Sequence, residues 1–205
     1  MNNLKQFLKN KKVGYSSLSE ARKKLPFKPS NHLPNVIYFY WDKGLANAPG
    51  LIQLCYQSWV KLNPRWQVVF LAESDARTVL GYKKPSDCLP AHYADDLRIK
   101  LLNQRGGVWV DATTMCSCSL DSWLPAIFKQ TDFFTFSRPS DDRLISTWFI
   151  AATKASPLMS AWHDAHFSYV NKNTKERPYF ITHYIFEWLV QSYSLLSEEF
   201  QSVPN

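Results

Sequence analysis

The sequence predicts an α/β fold, a single domain with a mostly parallel central sheet flanked by helices. Three observations carry this. Val36-Ile37-Tyr38-Phe39-Tyr40-Trp41 is an unbroken apolar, β-branched and aromatic run, the pattern of a strand covered on both faces. A helical segment, a second strand-like run and another helical segment follow it, and β-α-β-α order builds parallel sheets through right-handed crossovers. Gly106-Gly107 then separates a strongly helical stretch from a third buried run, Val108-Trp109-Val110.

Each element has its own signal. Asp42-Lys43-Gly44 breaks the first strand. Residues 48–62 place Leu51, Leu54, Cys55, Ser58 and Trp59 at helical spacing and stop at Asn63-Pro64. Gln67–Leu71 reads as the second strand, and 73–81 as a helix closed by Gly81. The 91–105 helix has Leu97, Leu101 and Leu102 on its apolar face. Asp132–Ser137 and Leu144–Ala152 read as further strands, 156–171 and 178–195 as helices. Upstream, 1–12 reads as a short basic amphipathic helix with Leu4, Phe7 and Leu8 on one side. Residues 13–34 read as a proline-bearing linker or a second short helix. The chain thus divides into an N-terminal extension, 1–34, and a domain, 35–205.

With 205 residues, 45% of them hydrophobic, the chain can bury one sizeable core, which excludes wholesale disorder. Aromatics reach 15%, with eight Trp. Flat apolar faces suit sugar rings and nucleobases, although any single Trp is more simply explained as core. The net charge of +7 is localised: residues 1–30 hold eight bases against Glu20, while 31–205 hold sixteen of each sign. A basic tail is drawn to anionic surfaces such as the inner membrane leaflet, or is a solvated leader without a partner. The neutral body has no continuing basic stripe, which argues against nucleic acid. Cys55, Cys88, Cys116 and Cys118 show no second pair at zinc spacing and read as reduced thiols of a cytosolic protein. There is no 18-residue apolar run and no apolar signal core. The expected location is the cytoplasm, with peripheral contact at the inner face of the cytoplasmic membrane.

Three features point to chemistry. Asp111 follows the third strand at its C-terminal end, where open α/β sheets bind ligands. A carboxylate there can hold Mg²⁺ or Mn²⁺, with Thr113 two residues on adding a hydroxyl or water-bridged contact; it can equally cap a turn. Asp95 and Arg98 share a helix face at i,i+3 spacing: Asp95 for ribose or sugar hydroxyls, Arg98 for phosphate or for holding Asp95, or both as a surface ion pair. Asp96 points about 100° away and is expected to face solvent. His183, among aromatics in 179–186, is a structural histidine unless the chain folds back beside Asp111, where it becomes a metal ligand or phosphate contact. Asp141 and Asp142, in an expected loop, are candidate bases or simply a solvated turn.

In this order the landmarks resemble the capsular polysaccharide synthesis glycosyltransferases. This family is related to the D-x-D-containing α-mannosyl- and galactosyltransferases and the glycosylating toxins. The resemblance runs from about Pro34 to about Val190. It rests on VIYFYWDK at 36–43, Ser58-Trp59 with Asn63-Pro64 and Trp66, and ADDLR at 94–98 with Leu101-Leu102. GGVWVDAT at 106–113, Phe136-Ser137-Arg138-Pro139, ISTWFIA at 145–151 and 179–186 complete it. It implies a GT-A-type, Rossmann-like domain and a UDP- or GDP-sugar donor, with Mn²⁺ or Mg²⁺ at a D-x-D-type motif. Asp111 matches the first acid of that motif, and Thr113 stands at the second. By the same resemblance Asp111, Asp95 and Arg98 are the catalytic set. Tyr40, Trp41, Asp95, Arg98, Gly107, Ser146, Trp148 and His183 bind the donor, with Ser146 and Trp148 also in the segment lining the acceptor side. Asp111, Thr113 and His183 hold the metal. The implied reaction moves a sugar, with retention, to a bacterial surface glycan acceptor, free or lipid-linked. The alternatives are an inactive nucleotide-sugar-binding relative and a metal-dependent phosphohydrolase, the latter needing more clustered acids than 106–120 supplies.

Overall fold

The computed structural model describes residues 32–154, 156–171 and 177–204. The basic helix expected over 1–12, most of the 13–34 linker and the tail's expected membrane contact lie outside the described residues.

Five strands form one sheet in the order β2-β1-β3-β5-β4. They are β1 (Val36–Tyr40), β2 (Gln67–Leu71), β3 (Gly107–Val110), β4 (Phe133–Ser140) and β5 (Arg143–Ala152). Helix α1 (Gly50–Leu62) connects β1 to β2; α2 (Glu73–Leu80) and α3 (Pro90–Arg105) connect β2 to β3. These long crossovers make β2, β1 and β3 parallel, as expected.

The second half differs from the mostly parallel expectation. β5 runs antiparallel to β3, and β4 antiparallel to β5. Only Asp141 and Asp142 separate β4 from β5, too few residues for a crossover, so the pair must form a hairpin and the sheet is mixed. The C-terminal helical stretch is likewise broken at Tyr193 into α6 (Ile181–Ser192) and α7 (Ser194–Gln201). A short α4 (Leu124–Ile127) and α5 (Pro157–Val170) complete the α-helices among the described residues.

Alternation along the strands assigns the layers. Phe39 meets Tyr56 and Trp59 of α1, and Phe149 of β5 also stacks near Trp59. On the opposite face Tyr40 meets Tyr93 of α3, while Phe133 packs against Trp162 of α5 and Phe186 of α6. Helix α3 lies between the sheet and α5, so it is buried nearly all round, Asp95, Asp96 and Arg98 included. That corrects the solvent-facing expectation for Asp96: an angular offset from the apolar stripe exposes a residue only when one side of the helix is free.

Gly106 and Gly107 let β3 start under this layer. Both have positive φ, at 67° and 106°. A Cβ at Gly106 would stand 2.8 Å from Lys154 N, and one at Gly107 2.9 Å from Val36 O. Gly106→Ala is therefore expected to lower the unfolding free energy by about 2–4 kcal/mol in urea titrations. Gly50→Ala, where the added Cβ meets nothing within 4 Å, should change it by less than about 1 kcal/mol.

Candidate active site

β1 and β3 end side by side. Tyr38 pairs with Trp109, so Tyr40 and Trp41 reach the C-terminal edge of the sheet at the level of Asp111. The backbone pins Asp111 from both sides: its N–H donates to Trp148 O at 2.8 Å, and its carbonyl accepts from Thr114 N at 2.9 Å. Its carboxylate accepts from Trp109 Nε1 at 2.9 Å and lies 3.1 Å from Arg98 Nη2, both through Oδ1. Oδ2 has no partner among the described residues, and the side chain is 37% exposed.

Arg98 joins three elements at this point. From α3 it reaches Asp111 at the end of β3, and its Nη1 donates to the Thr147 carbonyl of β5. Its Nε lies 3.4 Å from Asp95 Oδ1, and its guanidinium carbon 5.1 Å from the Trp109 ring centre. Asp95 Oδ2 accepts in turn from Thr182 Oγ1 at 3.0 Å. Burial pushes the Asp95 carboxyl up, against the opposing pull of Arg98 and Thr182.

The chain does fold back. His183, next to Thr182 on α6, places Nε2 3.4 Å from Thr147 Oγ1, so Thr147 serves Arg98 through its backbone and His183 through its hydroxyl. Burial, then the charges of Arg98 and Arg143, bring the His183 imidazole down to about 4, against Asp142 and Asp111. At neutral pH it is uncharged. Its Nδ1 is buried without a partner among the described residues. Arg143 stands 4.3 Å over the Phe180 ring, beside the same helix terminus.

The remaining expected residues divide. Trp41 lies half-buried beside the site, its Nε1 buried and without a partner among the described residues. The Tyr40 hydroxyl is pushed up by burial and by neighbouring Tyr93, Asp42 and Glu73. Thr113 is exposed at the 111–114 turn. Trp148 stacks on Phe136, centroids 4.9 Å apart, and is partly exposed. Two residues do not join them. Gly107 is at the far end of β3, roughly 13 Å along the chain from Asp111, packed against Val36. Ser146 is buried within β5, and its carbonyl accepts from Thr135 Oγ1. Asp141 and Asp142 form the exposed β4–β5 turn, Asp142 paired with Arg143 and Ser140. Among the described residues no three His, Cys, Asp or Glu side chains group as a metal site, so Asp111 stands as a single carboxylate donor.

Sequence reading missed the cluster behind the site. Asp96 accepts from Tyr82 Oη at 2.7 Å and from Arg177 Nη1 at 3.0 Å, and meets His166 Nε2 at 2.7 Å. Burial alone would raise its carboxyl, but these partners together hold it below the usual range. The partners lie up to 81 residues away, beyond the reach of local spacing; the sole signal was a second acid directly beside Asp95.

A family model described as capsular polysaccharide synthesis protein matches residues 1–205. The chain is 29% identical over 151 residues, 62% of its length, to "Glycosyltransferase afumC" of Aspergillus fumigatus, covering 38% of that protein. It is 29% identical over 159 residues, 67% of its length, to "O-glycosyltransferase PaGT" of Phomopsis amygdali, covering 39% of it. The chain thus spans about two fifths of the length of these relatives. The solved structure of "PaToxG Glycosyltransferase" superposes with a TM-score of 0.52 at 17% identity, over 91% of this chain and 79% of that one. That likeness shows the α/β fold.

Two outcomes test this geometry. Asp96→Asn leaves Arg177 and His166 facing an uncharged partner inside the protein, so unfolding free energy should fall by about 3–5 kcal/mol in denaturant titration. His183, with its folded value near 4 against 6.5, binds fewer protons folded than unfolded between those pH values. Its contribution is complete above pH 6.5 and declines by roughly 3 kcal/mol toward pH 4. His183→Gln should flatten that part of the stability–pH curve.

Proposed function

The chain belongs to the capsular polysaccharide synthesis protein family, and on that premise we propose that it is a glycosyltransferase taking a sugar from a UDP- or GDP-sugar to an acceptor hydroxyl. The proposed acceptor is a bacterial surface glycan precursor, free or lipid-linked, and the proposed outcome is retention in a GT-A-type site. One observation carries the reading: a half-exposed carboxylate, Asp111, held by a buried arginine at the edge of the sheet where such folds bind nucleotides.

The residues divide the work. Trp41 offers a half-buried flat ring beside the site, which suits stacking on a nucleobase. Arg98 is a positioning residue, since its donors already serve Asp111, Thr147 and Asp95. It fixes the carboxylate and lends positive potential where a diphosphate gathers negative charge. Arg143 adds a second cation nearby, and neutral His183 can donate a hydrogen bond to a phosphate or sugar oxygen through the one ring nitrogen that carries its proton.

Mn²⁺ or Mg²⁺ fits the free Oδ2 of Asp111, with Thr113 or water beside it. Such ions are commonly held by one carboxylate plus phosphate oxygens, and the cation would neutralise the departing diphosphate. The lone protein carboxylate predicts weak affinity for the cation without a donor.

With the chain, Mn²⁺ and a panel of UDP- and GDP-sugars, release of nucleoside diphosphate should be measurable and metal-stimulated. Asp111→Asn should lose that stimulation by roughly two orders of magnitude in a variant that remains folded by circular dichroism, with a melting temperature lowered by the loss of Arg98's charge partner. Full activity in the variant, or donor binding by the unaltered chain without hydrolysis or transfer, would overturn the assignment.

A further inference from the structure

A groove of about 540 Å³ opens on the α1 side of the same sheet edge. Its floor is aromatic: Trp123, Phe134, Phe136, Trp148 and Phe149 line it, with Met115 at its rim. The rings contact one another in series, Trp123 to Phe134 at 5.5 Å and Phe136 to Trp148 at 4.9 Å. None of the lining side chains carries a charge or an amide; their polar groups are the hydroxyls of Thr114, Ser117 and Ser122, two thiols and the indole N–H groups of Trp59, Trp123 and Trp148, the first of which is spent on Thr114 O. Met115 is 57% exposed, Phe136 39% and Trp148 38%. A concave groove of this volume lined by apolar and aromatic side chains has the character of a ligand site.

The wall of the groove is fixed in advance. Trp59 Nε1 donates to Thr114 O at 2.8 Å, Cys116 N to Ser58 Oγ at 2.9 Å, and Leu120 N to Asn63 Oδ1 at 2.7 Å. These three bonds tie the loop after β3 to α1. Two groove residues are also bonded through their backbones to Asp111: Trp148 O accepts from its N–H, and Thr114 N donates to its carbonyl. The groove therefore begins one residue's breadth from the proposed reaction centre.

We propose that this groove binds the apolar body of the acceptor, so that the hydroxyl receiving the sugar belongs to a hydrophobic alcohol, phenol or lipid rather than to a free polysaccharide chain. The inference rests on the transferase reading and replaces the glycan acceptor named there with this acceptor class. A carbohydrate held here could stack a ring on the aromatic floor, but its hydroxyls would face walls that supply few partners, and a buried hydroxyl left unmet is penalised. An apolar body meets no such penalty and gains from every part of the floor it covers. Such an acceptor places the transferred sugar at the start of a glycan, next to the aglycone, and not along a grown chain.

Binding is tested without any donor, which separates this proposal from the transferase assignment. Titrating the chain with 4-methylumbelliferone, a neutral apolar phenol, should quench tryptophan fluorescence saturably. Maltotriose at equal concentration should not displace it. Met115→Glu should raise the Kd about tenfold or more with the melting temperature unchanged, and Met115→Leu should restore it. Displacement by maltotriose, absence of saturable binding, or equal affinity in Met115→Glu would overturn the proposal. In a second arm, transfer from the preferred donor should favour 4-methylumbelliferone over methyl glucoside at least about tenfold. The reverse preference would also overturn it, even with donor hydrolysis intact.

Discussion

Asp95 and Asp96 stand side by side on a helix that the fold buries on nearly every side, and a carboxylate taken out of water must be met by a donor or a cation inside the protein. Much of the site's geometry follows from how that demand is met. Asp96 gathers Tyr82, His166 and Arg177, and so fastens α5 and the segment leading into α6 to the centre of the molecule. Asp95 gathers Thr182 and Arg98. Arg98 then hands the connection to Asp111 and Thr147 on two adjacent strands. The exposed carboxylate at the sheet edge is the outer end of a chain of charge-assisted contacts whose inner end never touches solvent.

His183 fits the same electrostatic logic. Two guanidinium groups and a dry setting keep its ring neutral, so the ring adds hydrogen-bonding capacity without adding to the positive charge already assembled. A protonated imidazole there would stand among Arg98 and Arg143 with only the more exposed acids to offset it. The arrangement divides labour between fixed cations, which set potential, and a neutral ring, which provides direction.

Elements dominated by local pattern were legible in the sequence. The Val36–Tyr40 run, the Gly106-Gly107 break and the acid following Val110 need only burial on both faces, glycine's access to positive φ and the strand-end rule. Asp111, Asp95, Arg98 and His183 do meet at one place, joined through Thr147. What escaped local reading depended on distant partners. Asp96 was misplaced because helical angle says nothing of what covers the far side. Gly107 proved to serve the close approach of Val36, and Ser146 lies within the sheet, because a linear landmark does not distinguish a residue that lines a cleft from one that shapes it. The direction of β4 and β5 followed from a two-residue connection that alternation alone does not reveal.

The hydroxyl of Thr182 reaches Asp95 across 87 residues of chain. Until α6 docks, Asp95 has Arg98 as its partner but lacks that donor, and His183 is absent from the edge of the sheet. An N-terminal fragment ending before Ile181 can contain every strand and still hold an incompletely satisfied carboxylate at its centre. On a ribosome, the nascent polypeptide would carry the proposed donor-side residues Trp41, Arg98 and Asp111 well before the proposed site could close. Long-range ordering of this kind is slow compared with local helix formation, which makes the docking of α6 the natural checkpoint between a folded scaffold and a competent one.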